Sequence, residues 1–296
     1  MHLSSRYRTN LGNWIPVDKI VRYIQERQNE DGGYFFAKEA ESAAEDTYCA
    51  IKILKALHVE PQKKFDTARF LRFLQHSDGS FDSIKVAYYV AGAIHELQSK
   101  TSMSFNRFVL SIQRPDGGFG SLEADVDTSS ELETTYMAFK LLEMGGCDLH
   151  SDERMKLILS FRNPEGSFGK SGYSTSASTY HAVAILKLEG YDVKSLSDTL
   201  KWVRSCEIPT GGFRGTPASV DPYILVEDSY FSVKILHAMG EMCRYPHETL
   251  RLISRFQNSN GGFRRSIFLG ISTFESTYQA VSTSLAILDM LEGRQR

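Results

Sequence analysis

One seven-residue turn is written six times along the chain, and such a chain must build six copies of one supersecondary unit. The copies run Gln28 to Tyr34, Gln75 to Phe81, Gln113 to Phe119, Arg162 to Phe168, Glu207 to Phe213 and Gln257 to Phe263. In each, a glycine lies four residues after the opening Gln, Arg or Glu, and an aromatic residue closes the turn. The closing aromatics stand 47, 38, 49, 45 and 50 residues apart, a period in the range of repeat architectures.

A second element keeps the same phase. It carries a tyrosine at its fourth place in every copy: Tyr48, Tyr88, Tyr136, Tyr180, Tyr230 and Tyr278. Ahead of the turns lie apolar-periodic runs with one polar side, such as Ala68 to Leu74 and Leu250 to Phe256. These predict helices with one wet face. Asp152, Glu153, Asp198 and Glu248 near their starts suit helix N-termini. The run after each turn is richer in alanine and apolar on most faces, which predicts a buried helix. The Glu, Asp, Ser or Thr at its start is expected to cap free backbone N–H groups. One repeat is thus an exposed helix, a glycine turn, a loop and a buried helix.

Six such pairs make an all-α chain of twelve helices. An open solenoid needs polar end repeats, whereas the first and last repeats here retain the full motif and apolar inner runs. The expectation is a closed α6/α6 toroid, a double ring of twelve helices. It forms a single domain over 17–296, behind a tail at 1–16. Its repeats fall near 17–58, 62–98, 102–145, 150–190, 195–241 and 246–292. Such a ring leaves a central cavity. The N-termini of its inner helices gather at one mouth, where their dipoles favour anions.

Composition narrows the function. Lys and Arg number 34 against 36 Asp and Glu, a net charge of −2, so the basic footprint of a nucleic-acid binder is missing. Four cysteines without a Cys-x-x-Cys pair predict neither a disulfide framework nor a zinc ribbon. The opening residues lack the apolar core of a secretory signal, and no stretch reaches the roughly 18 apolar residues of a membrane span. A reduced, cytoplasmic protein is expected. No Gly-x-Ser-x-Gly, Walker A or His-Glu-x-x-His motif occurs.

The Gln-x-x-Asp-Gly-Gly-Phe turn followed by a Thr-Tyr-x-Ala helix resembles the β subunits of protein prenyltransferases and the related class II terpenoid cyclases. The likeness covers about residues 17–292, and in length the chain is closer to a prenyltransferase β subunit. It implies an α6/α6 barrel whose apolar cavity holds an isoprenoid or prenyl diphosphate, and it leaves room for a helical partner subunit. The transferases' Asp-x-Cys-Tyr zinc motif aligns with Glu227-Asp228-Ser229-Tyr230, where serine replaces the thiolate. At the head of the last inner helix, Glu275, Ser276 and Thr277 stand where the family has its histidine. A tetrahedral zinc site is therefore not expected. Cys243 and His247 form at most an imitation half-site.

The diphosphate signature is also partial. The loop 215–224 has no Arg or Lys, which leaves Arg214 before it and Arg264 and Arg265 in the matching last turn as candidate phosphate grips. Tyr230, whose family equivalent faces the diphosphate, joins Tyr48 and Tyr136 as a substrate-contact candidate. The cyclases' Asp-x-Asp-Asp has incomplete counterparts at Glu45-Asp46 and at Glu131-Leu-Glu133, while Asp125-Val-Asp127 lies too early, in the loop.

Acids crowd the inner-helix starts: Glu45, Asp46, Glu133, Glu227 and Asp228 are the candidate catalytic residues. Helix capping explains one acid per helix. Doubled acids at a shared mouth raise one another's pKa, as a general acid requires; alternatively they hold Mg²⁺ for a diphosphate. Three functions stay open: a zinc-independent prenyltransferase-like enzyme, a single-domain terpenoid cyclase using carboxylic acid protonation, and a non-catalytic isoprenoid-binding or scaffold protein.

Overall fold

A computed structural model describes residues 10–37, 40–98, 104–120, 131–147, 151–170, 174–219 and 224–293. The stretch Asp125 to Thr128 lies outside them. Six outer helices alternate with six inner ones. The outer set is α1 (Val17–Gln25), α3 (Lys64–Phe73), α5 (Asn106–Ser111), α7 (Asp152–Ser160), α9 (Ser197–Cys206) and α11 (Pro246–Ser254). The inner set is α2 (Ala44–Ala56), α4 (Ile84–Glu96), α6 (Leu132–Met144), α8 (Ser176–Leu188), α10 (Val226–Met239) and α12 (Phe274–Gly293). No strand occurs among the described residues, only isolated β-bridges such as Gln28 with Tyr34 and Gln257 with Phe263 across the turns.

The inner helices pack in sequence, α2 on α4, α4 on α6, α6 on α8, α8 on α10 and α10 on α12, and α12 then packs on α2. That last contact closes the ring and establishes the toroid. From α3 to α11, each outer helix lies against the inner helix of its own repeat.

The turn motif does three jobs, which explains why it recurs. Its glutamine braces the turn: the side-chain amides of Gln28, Gln75, Gln113 and Gln257 donate to the carbonyls of Gly32, Gly79, Gly117 and Gly261 at 2.8–3.0 Å. In repeats one, four, five and six its glycine seats on the next outer helix. Thr67 and Thr199 donate to the carbonyls of Gly32 and Gly166, both at 2.7 Å, and Gly212 N–H donates to Thr249 Oγ1. Its closing aromatic is buried, and the aromatic's N–H is held by the hydroxyl preceding the inner-helix tyrosine. Tyr34, Phe119, Phe168, Phe213 and Phe263 donate to Thr47, Thr135, Thr179, Ser229 and Thr277 at 3.0–3.3 Å. Repeat two has Ala87 there and lacks the clip.

Closure reuses this joint. Gly261 of the last turn (φ +93°) lies so close to α1 that a Cβ would stand 2.2 Å from the Lys19 carbonyl oxygen. Tyr23 on α1 donates to the Ser272 carbonyl at 3.0 Å and packs on Phe274, ring centroids 5.4 Å apart. Asn10 donates to Glu292 at 2.7 Å.

The capping expectation needs correction. Ser83, Ser151 and Thr175 do cap their helices through side-chain oxygens. At α2, α6 and α10 the preceding residues Ala43, Glu131 and Leu225 make no side-chain cap bond. The acids of these helices lie inside the first turn, where they face the positive dipole end without capping it.

Candidate functional site

In five repeats the inner-helix tyrosine sits one residue after the turn clip, and in all six its ring faces the axis. The six rings form a closed hexagon. Successive centroids from Tyr48 through Tyr88, Tyr136, Tyr180, Tyr230 and Tyr278 and back to Tyr48 are 5.6, 6.2, 5.8, 6.3, 5.8 and 6.2 Å apart. Tilted and edge-on contacts at such spacing are the favourable aromatic geometries. Hydroxyls meet pairwise, Tyr48 with Tyr88 and Tyr136 with Tyr180, both at 3.4 Å. Burial raises the pKa of these phenols, so they stay neutral donors.

An axial cavity of about 250 Å³ touches all six tyrosines. One residue further along the helices, Cys49, Tyr89, Met137, His181, Phe231 and Gln279 form its upper wall. His181 stacks on Tyr136 at 5.3 Å, and burial depresses its pKa to about 4, leaving the imidazole neutral. Three residues before the tyrosines, Glu45, Glu133 and Glu275 reach the same cavity. Four residues after them, on alternate repeats, Lys52, Lys140 and Lys234 reach it too. The cavity therefore runs from a carboxylate layer at the N-terminal mouth, past an aromatic waist, to an ammonium layer nearer the helix C-termini. Each charge layer opposes the helix dipole end it sits near.

The acidic mouth brings some predicted residues together and separates others. Glu45 accepts from Tyr89 OH at 2.7 Å and has Lys85 at 3.9 Å. Desolvation, with Glu45 and Glu227 nearby, raises the pKa of Glu275. Glu227 is clamped by Arg265 through two bonds of 2.9 and 2.6 Å. Asp46 and Asp228 are set aside from the cavity. Asp46 accepts from Phe36 N–H at 3.1 Å, and Asp228 accepts from Ser176 Oγ at 3.3 Å. Burial, reinforced by neighbouring carboxylates, pushes both pKa values up to about 6. Glu133 was legible as a mouth acid; Tyr89 and the three lysines were missed, although the tyrosine-plus-four spacing on alternate repeats is in the sequence.

Two expected phosphate grips do not line the axial cavity. Arg264 donates to Asn258 Oδ1 and to the carbonyls of Arg255, Ser266 and Ile267, all at 2.7–3.1 Å, so its guanidinium braces the last turn. Arg214 is exposed beside Cys206 at the end of α9, where its charge acts on the buried thiol. Only Arg265 of the three stands at the mouth, and it is paired.

The donor set does not fit zinc. Ser229 and Thr277 hydroxyls serve as turn clips, Glu227 is held by Arg265, and His247 stacks on Trp14 at 5.8 Å. Among the described residues no group of three His, Cys, Asp or Glu side chains converges to hold a metal ion.

A family model for the prenyltransferase alpha-alpha toroid domain matches residues 2–83, 81–218 and 179–295. The chain belongs to this family. Within the family it is similar to the Arabidopsis thaliana geranylgeranyl transferase type-1 subunit beta, 25% identical over 222 residues that span 66% of this chain and 59% of that relative. The Candida albicans protein geranylgeranyltransferase-I complexed with GGPP shares the toroid with a TM-score of 0.69 at 17% identity, over 96% of this chain and 93% of that one. A Scytonema type II terpene cyclase, in complex with geranylgeranyl dihydroxybenzoate, shares it with a TM-score of 0.68 at 11% identity, over 97% and 99%. These likenesses establish the toroid fold. Among the described residues no helix is long and apolar enough to cross a membrane.

The set-aside Asp46 gives a pH prediction. Its pKa in the fold lies above that of an exposed aspartate, so the folded state binds more protons between about pH 4 and 6. Stability from this group therefore falls as pH rises through that window, and the cost is complete above it. Asp46→Asn keeps an acceptor for Phe36 N–H and removes the buried charge. Denaturant unfolding should show the variant about 1–3 kcal/mol more stable at pH 8 and level with wild type near pH 4. Equal stability at pH 8 would rule out the buried, ionising carboxyl.

Proposed function

We propose that this toroid acts on an isoprenoid diphosphate; a relative named as a geranylgeranyl transferase subunit and a geranylgeranyltransferase-I complexed with GGPP support the reading. The observation that carries this reading is the axial cavity walled by a tyrosine hexagon. Aromatic faces accept hydrocarbon and stabilise allylic cation character by cation–π attraction. Neutral tyrosine hydroxyls donate hydrogen bonds without adding charge. At about 250 Å³ the cavity falls below the ~300–1,000 Å³ usual for small-molecule pockets, so short prenyl chains should bind better than long ones. The reading is zinc-independent, because Ser229 and Thr277 stand where the family's thiolate and imidazole ligands would be needed. Magnesium enters it only as a companion of the diphosphate.

A second reading, a terpenoid cyclase working by protonation, is favoured by the carboxyls at the mouth. Desolvation, with Glu45 and Glu227 nearby, raises the pKa of Glu275, and Glu45 lies beside it in the cavity wall. A carboxyl raised in this way at the cavity wall is the kind of group that serves as a general acid. A helical partner subunit is proposed from the relative's name as a subunit. Phe65 and Phe73, 89% and 79% exposed on α3, supply an apolar face for such a contact. A cytoplasmic location remains the expectation.

Titration of the protein with prenyl diphosphates of graded length, with and without Mg²⁺, tests the reading. Mass spectrometry of the products then separates the chemistries. Group transfer releases inorganic diphosphate and adds the prenyl mass to an acceptor, whereas cyclisation leaves an isomer of unchanged mass. Glu275→Gln or Glu45→Gln should abolish cyclisation while binding persists. Failure of every prenyl diphosphate to bind overturns the first reading, and the absence of a cyclised isomer from any prenyl substrate overturns the second.

A further inference from the structure

The acidic mouth cannot be the resting place of a metal-free diphosphate, because Glu45, Glu227 and Glu275 crowd there and Arg265 is already committed to Glu227. The opposite end of the cavity has the complementary chemistry. Lys52, Lys140 and Lys234 occupy the same register, four residues after Tyr48, Tyr136 and Tyr230, on repeats one, three and five. Repeats two, four and six place Gly92, Ala184 and Ser282 in that register, so small side chains separate the three ammonium groups. All three lysines line the axial cavity. A second cavity of about 400 Å³, at the C-terminal ends of α2, α10 and α12, shares Lys52, Lys234 and Tyr278 with it. That cavity gives a path from solvent to Lys52 and Lys234, with His237 and Asp289 exposed at its edge.

We propose that Lys52, Lys140 and Lys234 form an oxyanion site at the C-terminal mouth of the toroid, suited to a diphosphate. For a prenyl diphosphate this rests on the isoprenoid reading above, and it fixes the polarity of binding: phosphates toward the lysines, hydrocarbon toward the tyrosine waist.

The three ammonium groups are not equivalent. Lys52 pairs with Glu96 at 2.6 Å, and Lys140 pairs with Glu143, both acids lying near the ends of their helices. Among the described residues Lys234 has no carboxylate within ion-pair range, and it lies 5.8 Å from the Tyr230 ring centroid. Burial and the proximity of Lys52 disfavour its charge, a cost that an oxyanion between the two lysines relieves. Lys234 is thus the open cation of the site. Lys52 and Lys140 can turn from their surface acids to a more highly charged ligand, and the tyrosine hydroxyls lie one helical turn away as neutral donors.

Calorimetric titration with inorganic diphosphate, and with orthophosphate for comparison, tests the site without needing an isoprenoid. Wild type should bind diphosphate more tightly than orthophosphate, and the affinity should fall with added salt. Lys234→Gln should weaken diphosphate binding at least tenfold. The combined Lys52→Gln, Lys140→Gln and Lys234→Gln variant should abolish it while circular dichroism shows an intact helical fold. Arg265→Ala serves as the rival variant. If it abolishes binding while Lys234→Gln does not, the diphosphate lies at the acidic mouth and the proposal falls. Absence of diphosphate binding in wild type also overturns it, leaving the lysines as partners of the helix C-termini alone. The two readings fail separately. Inorganic diphosphate held through the lysines without any prenyl diphosphate binding refutes only the isoprenoid reading. Prenyl binding that is indifferent to all three lysines refutes only this one.

Discussion

Replacing Gly261 by alanine should cost about 2–5 kcal/mol of folding stability and should open the ring where its ends meet. Two penalties combine. A Cβ at φ +93° costs roughly 1–2 kcal/mol. The same Cβ would press against the Lys19 carbonyl oxygen at 2.2 Å, and overpacking costs about 1–3 kcal/mol more. Backbone, not a flexible side-chain tip, stands in the way, so relief requires α1 to move off the last turn. Gly117 supplies the control. It has the same turn role and φ +87°, but nothing lies within 4 Å of its would-be Cβ. Gly117→Ala should show the conformational penalty alone, roughly 1–2 kcal/mol. Denaturant unfolding of the two variants measures the docking contribution as their difference. Equal losses would mean that the last turn does not bear on α1.

The second large effect belongs to the tyrosine hexagon. Tyr230→Ala removes one of six mutually packed rings and leaves a void at the axis, so a loss of about 3–5 kcal/mol is expected, as for other large-to-alanine core changes. Tyr230→Phe keeps the ring contacts with Tyr180, Tyr278 and Phe231 and gives up only the hydroxyl, for about 1 kcal/mol. The same pair of variants reports on function. The alanine variant enlarges the cavity and should shift preference toward longer prenyl chains in the length-graded titration, whereas the phenylalanine variant should leave the preference in place. A Tyr230→Ala protein as stable as wild type would show that the hexagon is not a packed layer.

The fold was legible because its information is local and repeated. Gln28 to Tyr34 and its five echoes specify the turn, and apolar content distinguishes α2 from α1. The inference of closure from apolar end repeats agrees with the packing of α12 on α2. The site was less legible, because its properties depend on what lies opposite each residue across the axis. Glu45 and Asp46 are neighbours in sequence, yet the helical period sends one to the cavity and the other to the Phe36 backbone. Arg264 and Arg265 are likewise adjacent and diverge, one into its own turn and the other onto Glu227. The threonine of each Thr-Tyr pair looks like a helix-start residue, and its partner is the backbone of the preceding turn, which only the folded repeat brings near. The lysine triad escaped notice because it occurs in every second repeat, and comparison of adjacent copies hides such a pattern.

Ring closure also bears on how the molecule is made. The contact that completes the toroid joins α2 to α12, whose first residues, Ala44 and Phe274, are separated by 230 positions. On a ribosome, α2 emerges and pairs with α4 early, while its other flank waits for a helix still to be translated. Each further repeat finds its neighbour at once, so the assembly grows as an arc with one apolar edge at either end. Those edges are the sticky surfaces of an unfinished product, open to a second nascent arc as readily as to each other. Synthesis that stalls within the last repeat leaves a molecule with nearly all of its helices and none of its axis sealed.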